Sequence, residues 1–146
     1  MSYATAEELR SRIGESVFEE IYSVSGQSDF SGRPGIFDDL ESAGAEIDGA
    51  IASRYALPVT GARSLSLLKD WTLTLAEERT YARPAGGDLP EKIKRRVDQV
   101  RKYLDMIRSD EFRLPDAPEK NGSSGSTIAI VQREEPVFTR RKMEGF

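Results

Sequence analysis

The stretch from Ile36 to Pro58, with the sequence IFDDLESAGAEIDGAIASRYALP, constrains the fold more than any other part of the chain. Apolar residues recur in it at steps of three and four. This spacing places them along one stripe of an α-helix and turns the acidic residues away from that stripe. Pro58 ends the segment, because the residue before a proline is pushed out of helical geometry. The pattern predicts a long amphipathic helix over 36–55 that packs against other helices.

One charged residue interrupts the apolar stripe. Arg54 has the same angular position as Ile36, so either its stem packs on the buried side while its head reaches water, or its head meets a carboxylate from another helix. Asp70, within the next apolar segment, is the candidate carboxylate. We expect Arg54 and Asp70 to form a structural ion pair, because no side chain nearby could complete a catalytic mechanism.

Four further segments complete an all-α fold, a small bundle of about four to five helices over residues 1–114. A capping-box pattern at Thr5-Ala-Glu-Glu8 opens a short helix, and Gly14 separates it from a second one over 15–23. Residues 65–82, with Ser64 as the expected cap, are apolar on most of the helix circumference. Such a helix is central, or it also contacts a partner subunit. The last helix, 90–110, has an outer face of opposite charges four residues apart, such as Arg101 with Asp105.

The character of the chain changes after Leu114. Residues 115–126 are rich in Pro, Gly and Ser, which is typical of a linker with no means of burying itself. Residues 127–133, TIAIVQR, alternate and are β-branched, so they predict one lone β-strand that pairs with another molecule or remains unstructured. We predict an extended C-terminal docking arm over 127–146. Its contact residues are Thr127, Ile128, Ile130, Val131, Val137, Phe138, Arg140, Arg141, Lys142 and Phe146.

Composition restricts the chemistry that the chain can perform. Its 146 residues include no cysteine and no histidine, which removes thiolate metal sites, disulfides and the commonest general base. There is also no phosphate loop and no nucleophile elbow. We therefore predict a protein that is not an enzyme and that needs no cofactor or metal. The acidic residues Asp38, Asp39 and Glu41 are better explained as compensation of a helix dipole than as metal ligands.

The charges are unevenly distributed. Residues 1–60 carry 11 acidic and 4 basic side chains, whereas residues 90–113 carry 8 basic and 5 acidic ones. This asymmetry suits head-to-tail contact between copies, but ordinary solvated faces explain it equally well. The basic residues of helix 90–110 leave a small DNA-binding regulator as an alternative, which the interleaved acids weaken. No apolar run reaches the ~20 residues that span a bilayer, and no signal-peptide pattern opens the chain, so we expect no membrane contact.

Several segments resemble a family of small Mu-like phage and prophage proteins. They are MSYATAEELRSRIGE, IDGAIASRYALPV, LKDWTLTLAEERTYAR, RVDQVRKYLDMI and PVFTRRKMEGF, and the run over 47–59 is the most specific of them. That family is similar to the head-completion or head–tail connector (adaptor) proteins of tailed phages. Such adaptors are helical bundles that form a ring, commonly of twelve copies, beneath the portal of the filled capsid.

The resemblance implies a homo-oligomeric ring whose contacts fall on 36–55 and 65–82, and a portal contact made by 127–146. It also implies a neighbouring neck or tail protein, a location at the neck of the virion after assembly in the host bacterial cytoplasm, and proximity to packaged DNA without specific nucleic-acid binding. It implies no catalytic residue. The alternative phage role is a tail-completion or tail-terminator component, which only the identity of the neighbouring protein separates from a connector.

Overall fold

The computed structural model of the protein describes residues 2–22 and 34–120. Across these two ranges it has five helices and no strand, which confirms the predicted all-α bundle. The helices are α1 (Ala6–Ile13), α2 (Glu15–Tyr22), α3 (Pro34–Ile51), α4 (Ala62–Tyr81) and α5 (Glu91–Arg108). The predicted lone strand and the whole docking arm lie outside the described residues.

Helix α4 is the centre of the bundle and packs against α1, α3 and α5. Most of its apolar side chains, among them Leu68 and Leu75, are buried. Buried hydroxyls need a partner, and those of Thr72, Thr74 and Thr80 donate to the carbonyl four residues earlier at 2.8, 2.9 and 2.8 Å. The prediction of a central helix from its apolar circumference is confirmed.

Helix α3 buries the stripe that its sequence predicts, from Ile36 to Ile51, against α4 and α5. The helix ends at Ile51, before the predicted end at residue 55, and turns lead from there to Tyr55. The Leu57–Pro58 peptide is cis. Helix α4 begins at Ala62, so Ser64 lies inside its first turn rather than at its cap.

Helix α1 begins at the predicted capping box and ends at the predicted glycine. The Thr5 side chain accepts from the Glu8 amide at 3.2 Å, and the Glu8 carboxylate accepts from the Thr5 amide at 2.9 Å. This is the predicted capping box. Gly14, with φ of 100°, ends α1 and separates it from α2. Glycine adopts this left-handed region without the steric cost that a side chain would impose.

Residues 114–120, which we call the strap, cross one end of the bundle. The amide of buried Leu114 donates to the Tyr55 hydroxyl at 2.9 Å, Glu119 forms an antiparallel bridge with Tyr55, and the Lys120 amide donates to the Arg54 carbonyl at 2.8 Å. For residues 115–120 the expectation of an unattached linker is therefore wrong. Main-chain hydrogen bonds attach this stretch to the bundle. Such bonds do not require apolar side chains, so the sequence shows no periodic pattern that would predict them. Residues 121–126 lie outside the described ranges.

Candidate docking surface

The strap, the ends of α3 and α5 and the start of α4 meet at one end of the bundle, which we call the strap end. Arg54, just beyond α3, donates from Nε to the carbonyl of Ile107 in the last turn of α5 at 3.4 Å. Asp116 of the strap accepts hydrogen bonds from the first turn of α4. Three helices and the strap are thus tied together at this end of the bundle.

The structure corrects the predicted pair of Arg54 with Asp70. Arg54 Nη1 lies 3.0 Å from Asp110 Oδ1 and 3.8 Å from Glu119 Oε2, whereas Asp70 Oδ1 lies 2.9 Å from Arg12 Nη1 of α1. Asp70 is two turns into α4, roughly 12 Å along the helix from its start at 1.5 Å per residue. Arg54 stays at the strap end, where α5 and the strap supply its carboxylates.

A network of partly exposed charges joins the strap to the end of α5. Arg113 Nε lies 3.1 Å from Asp110 Oδ1, and its Nη1 lies 3.5 Å from Glu119 Oε1. The hydrogen bond to Asp110 raises the pKa of Arg113 above its ordinary value. Each exposed pair contributes little by itself, but Arg54 and Arg113 share both carboxylates, so the network orients the strap.

Asp116 caps α4 from outside its local sequence. Its two carboxylate oxygens accept from the amides of Arg63 and Ser64, each at 2.9 Å. The Ser64 side chain, and after it the hydrogen bonds from these two amides, lower the pKa of Asp116. Gly61 allows the close approach, because its φ is 116° and a Cβ there would lie 2.5 Å from Asp116 Oδ1. The cap and the glycine together fix the course of the strap.

A partly apolar groove opens beside the strap end. It encloses about 540 Å³ and is lined mainly by Tyr3, Pro58, Val59, Ala62 and Leu65. Among the described residues, the large apolar side chains that remain exposed are Phe37 at 47%, Leu57 at 41% and Leu65 at 40%. Leu65 lines the groove, and Leu57 precedes Pro58 in the α3–α4 connection.

Two polar side chains of the groove wall, Tyr3 and Lys69, have partners within the protein. The Tyr3 hydroxyl donates to Asp48, and burial raises the pKa of Tyr3. Lys69 Nζ lies 2.8 Å from Glu8 Oε1. Ser2 and Ser66 add hydroxyl groups to the groove wall, so its surface is partly polar.

Buried charges link the helices elsewhere. Glu77 of α4, only 2% exposed, accepts from Arg12 Nε of α1 at 2.8 Å and from Arg96 Nη2 of α5 at 3.0 Å. Burial raises the pKa of Glu77, and the two guanidinium groups act in the opposite direction. Because one carboxylate serves two neighbouring helices, this cluster holds α1 and α5 against α4.

A second cluster joins α3, α4 and α5. Arg101 Nε lies 2.9 Å from Glu46 Oε1, its Nη2 lies 2.7 Å from Glu78 Oε2, and Arg79 Nη2 lies 2.7 Å from Glu46 Oε2. The expected pair of Arg101 with Asp105 is wrong, because Arg101 turns toward α3 and α4 and Asp105 pairs with Arg108 at 2.7 Å. Arg101 of α5 therefore forms ion pairs with neighbouring helices, although the sequence pattern placed it on a face exposed to water.

A third cluster closes the opposite end of α4. The Tyr22 hydroxyl donates to Asp39 Oδ2 at 2.7 Å, and Arg83 Nε donates to the same oxygen at 2.7 Å. Burial raises the pKa of Tyr22. Asp39 is one of the three acidic residues near the start of α3, with Asp38 and Glu41. Within residues 2–22 and 34–120, no group of acidic residues is arranged to hold a metal ion.

The basic face of α5 is smaller than its sequence indicates. Arg96 and Arg101 are engaged by carboxylates, while Lys92, Lys94 and Lys102 are exposed. A DNA-binding helix needs several cations free to contact phosphates. The engagement of the two arginines weakens the alternative of a DNA-binding regulator. In the part of the chain that is described, no helix is both long and apolar enough to cross a membrane.

The predicted docking residues of the arm lie outside the described residues, so their placement stays a prediction. They are Thr127, Ile128, Ile130, Val131, Val137, Phe138, Arg140, Arg141, Lys142 and Phe146. Sequence reasoning missed Asp116, Gly61 and the groove. An aspartate in a Pro-rich segment gives no local sign that it caps a helix 52 residues earlier.

The chain matches a known protein family. A family model described as Bacteriophage Mu, Gp36 matches residues 3–132, a range that includes all five helices and the strap. No protein of curated function matches the chain.

Proposed function

The chain belongs to the family described as Bacteriophage Mu, Gp36, and is therefore a phage protein; we propose that it is a structural protein of the virion, a head–tail connector (adaptor). In this proposal, copies form a ring at the portal vertex of a tailed phage and link the capsid portal to the tail. The ring contains twelve copies, and the subunits assemble in the host cytoplasm before they occupy the neck of the virion.

The observation that carries the proposal is the strap. Its hydrogen bonds to Arg54, Tyr55 and Ser64 hold Lys120 at one end of the bundle, so the following 26 residues start from a defined point. A fixed starting point limits how far from this end of the bundle those residues can meet a partner. Its sequence suits docking, with a β-branched alternating run for strand addition and Phe138 and Phe146 as apolar anchors.

Ring formation requires a heterologous contact, in which one face of a subunit meets a different face of the next. The faces we propose for it are the outer side of α3 and the start of α4. Residues 71–77 of α4 are buried within the bundle, so the ring contact proposed for 65–82 narrows to the exposed positions over 65–70 and the partly or fully exposed positions over 78–82. On α3, exposed Asp38, Ala45 and Gly49 belong to the surface available to a neighbour.

The test is co-purification with the portal protein of the same phage. We expect the full chain to bind the portal, and the full chain carrying both Ile128→Asp and Ile130→Asp to bind at least tenfold more weakly. A truncation after Lys120 should fold and fail to bind, as judged by circular dichroism and by portal capture. Truncation after Leu114 is unsuitable, because it would also remove the Asp116 cap. Unchanged portal binding by the two arm variants would overturn the proposal.

A second experiment tests the alternative of a tail-completion or tail-terminator component. Mixing the full chain with purified heads and with purified tails separates the two roles. A connector binds heads through their portal, whereas a tail component binds tails in the absence of heads. Cryo-electron microscopy of the parent particle, with this chain traced in the neck, would identify the neighbouring neck or tail protein.

A further inference from the structure

We propose that in the ring the start of α3 in one copy docks on the start of α5 in the next copy, with Phe37 and Asp38 facing Lys92 of that neighbour. The inference rests on the proposed function and deepens it, because it assigns the surface of the neighbouring copy that receives α3. In this arrangement the bundle stands along the axis of the ring, and the two helix starts meet at the same height.

Ion pairing within the chain leaves free acids on the N-terminal helices. Among residues 2–22 and 34–120, the exposed acids of α1–α3 that form no ion pair are Glu7, Glu20 and Asp38. Each arginine described before residue 60 pairs with a carboxylate. These helices therefore carry no free cation, within the described ranges, that would offset the three acids.

A surplus of free cations lies on α5. In the described part of the chain, Lys92, Lys94 and Lys102 are exposed and form no ion pair, whereas the arginines of this helix pair with carboxylates. Asp98 is a free acid of the same helix, so the three lysines leave a net positive surface. One molecule thus presents free charges of opposite sign on different helices, a polarity that suits head-to-tail contact between identical copies.

Asp38 and Lys92 lie at the same end of the bundle, the end at which α4 finishes. Asp39, the residue after Asp38, accepts from Arg83 just beyond α4 at 2.7 Å. Helix α5 meets α4 in reverse order along the sequence, so the two run antiparallel and the first turn of α5, with Lys92, lies at this end too. Rotation about a ring axis keeps every residue at its height, so these opposite charges can meet between copies.

On α3, Phe37 lies on the side away from α5. Glu46 marks the side toward α5, because its carboxylate pairs with Arg101 at 2.9 Å. Phe37 aligns instead with Asp48, about three turns later. The Asp48 carboxylate accepts from the Tyr3 hydroxyl of the N-terminal segment. Phe37 is 47% exposed on this side, so a large apolar group stands next to the free Asp38.

On α5, Lys92 lies on the side away from α3. Arg96, one turn after Lys92, pairs with Glu77 of α4, a carboxylate that also binds Arg12 of α1. Arg101, by contrast, turns toward α3. A neighbour placed beside Lys92 therefore meets α5 without displacing α3 of the same copy. A ring needs two such faces on different sides of each subunit.

The contact combines charge with apolar cover. A free carboxylate and a free ammonium attract each other, and the attraction grows when the subunits exclude water between them. The Lys92 stem can lie on the Phe37 ring and remove apolar surface from water, while a lysine ammonium favours the face of an aromatic ring. We expect ring formation to weaken as salt is added.

Charge reversal in the full chain tests the contact. The measured quantity is the concentration of chain that half-fills purified portal protein, counted as copies bound per portal by native mass spectrometry. Asp38→Lys and Lys92→Glu should each raise this concentration about tenfold or more, because each places like charges opposite one another. Lys102→Glu, which reverses a free lysine of α5 nearer the strap end, should change it less than about threefold. An equal effect of Lys102→Glu and Lys92→Glu would show that bulk charge matters and the position does not, and the inference would fail.

Mixing the two variants gives a result that a folding defect cannot give. In a ring of twelve, alternating Asp38→Lys and Lys92→Glu copies place aspartate against lysine at one contact and lysine against glutamate at the next. An equal mixture should therefore half-fill the portal within about threefold of the wild-type concentration, and so should one chain that carries both changes. If the single variants are impaired and neither combination recovers, Asp38 and Lys92 do not pair.

Disulfide trapping identifies the occupant, because the natural chain has no cysteine. On the portal, an oxidised mixture of Asp38→Cys and Lys92→Cys chains should give linked dimers, and neither variant alone should. Dimers from Asp38→Cys alone would mean that two α3 helices meet symmetrically, which contradicts the head-to-tail contact. A link between the Asp38→Cys chain and a portal subunit carrying an introduced cysteine would assign the surface to the portal instead.

The proposed function and this inference fail in different ways. Normal filling of the portal by both charge-reversal variants would remove the contact between α3 and α5 and leave the connector, with its ring contacts elsewhere on α3 and α4, intact. Failure of the wild-type chain to fill the portal as a ring would overturn the proposed function and the inference together.

Discussion

Asp116 and Ser64 form a reciprocal pair of hydrogen bonds across 52 residues of sequence: Asp116 Oδ1 accepts from the Ser64 amide at 2.9 Å, and the Asp116 amide donates to Ser64 Oγ at 3.3 Å. A capping box makes the same exchange between residues three apart. The first amides of a helix have no partner inside it, so a cap must come from elsewhere. In this protein the first turn of α4 depends on the strap.

Asp116→Ala should therefore loosen α4 as well as the strap. We expect the melting temperature to fall by about 2–4 °C, as is typical for the loss of one helix cap in a domain of this size. Amide hydrogen exchange should speed at Arg63 and Ser64, because both amides lose their acceptor. Asp88→Ala, at an exposed position, is the control and should leave both measurements unchanged. Slow exchange at Ser64 in the Asp116→Ala variant would contradict the cap.

Glu77→Gln should be among the most damaging conservative changes in the bundle. Glutamine keeps the size of the side chain but leaves Arg12 and Arg96 beside a neutral group. Removing one partner of a buried ion pair is strongly destabilising, but Arg12 retains Asp70. We therefore expect the free energy of unfolding to fall by about 2–3 kcal/mol, measured by urea denaturation.

Glu78→Gln is the matched control for Glu77→Gln. Glu78 is the next residue and also pairs with an arginine, but it is partly exposed and Arg101 keeps Glu46. The loss should stay below about 1 kcal/mol, as for other solvent-exposed pairs. If Glu77→Gln and Glu78→Gln cost the same, burial does not govern the strength of the α1–α4–α5 link.

Periodicity and local caps were sufficient to predict most of the helices. The stripe from Ile36 to Ile51 and the capping box at Thr5 depend only on residues close in sequence, and both are found in the structure. The central position of α4 also followed, because a helix apolar on nearly all sides has to be enclosed. The end of α3 was placed four residues late, since the turns after Ile51 still bury Tyr55 in phase with the stripe.

Charge pairing could not be predicted, because it depends on how helices are placed in three dimensions. Both Arg54 and Asp70 belong to segments with apolar periodicity. In the structure, however, Arg54 lies at the strap end and Asp70 lies two turns into α4, so the two side chains do not meet. Arg101 has Asp105 four residues away, yet it meets two carboxylates that other helices supply. The strap was missed for a related reason: its contacts are main-chain hydrogen bonds and a remote cap, which Pro- and Gly-rich composition does not reveal.

Glu46 should make the stability of the bundle depend on pH. Burial raises the pKa of Glu46, but hydrogen bonds from Arg101 and Arg79 outweigh it, so the pKa is lowered overall. A carboxyl group with a lowered folded-state pKa contributes stability that is complete above its unfolded pKa of about 4.3. That contribution is lost as the pH falls through the folded pKa. The Glu46 network should therefore weaken in acid.

The measurement compares wild type with Glu46→Gln across pH. At pH 7 we expect the variant to be about 1–2 kcal/mol less stable, since it loses charge-assisted hydrogen bonds from two arginines. This difference should start to shrink as the pH falls below the unfolded pKa of about 4.3, and it should disappear as the pH falls through the lower folded pKa. Glu91→Gln, which removes an exposed pair with Arg95, should show almost no difference at either pH. A gap between wild type and Glu46→Gln that stays constant down to pH 3 would contradict an ionised, arginine-bound Glu46.

Gly49 should be a site at which stability and assembly respond in opposite directions. It lies inside α3 and is exposed, and a Cβ built there meets no atom within 4 Å. Gly49→Ala should raise the free energy of unfolding of the isolated chain by about 0.5–1 kcal/mol, because alanine restricts the unfolded backbone and favours the helix. Gly61→Ala is the contrasting variant and should destabilise, since φ is 116° and Asp116 lies within 2.5 Å of the added Cβ. If Gly49→Ala stabilises the chain in urea but reduces ring formation by light scattering, the outer face of α3 is a close subunit contact. If it stabilises the chain and leaves the ring unchanged, the proposed contact on α3 excludes Gly49.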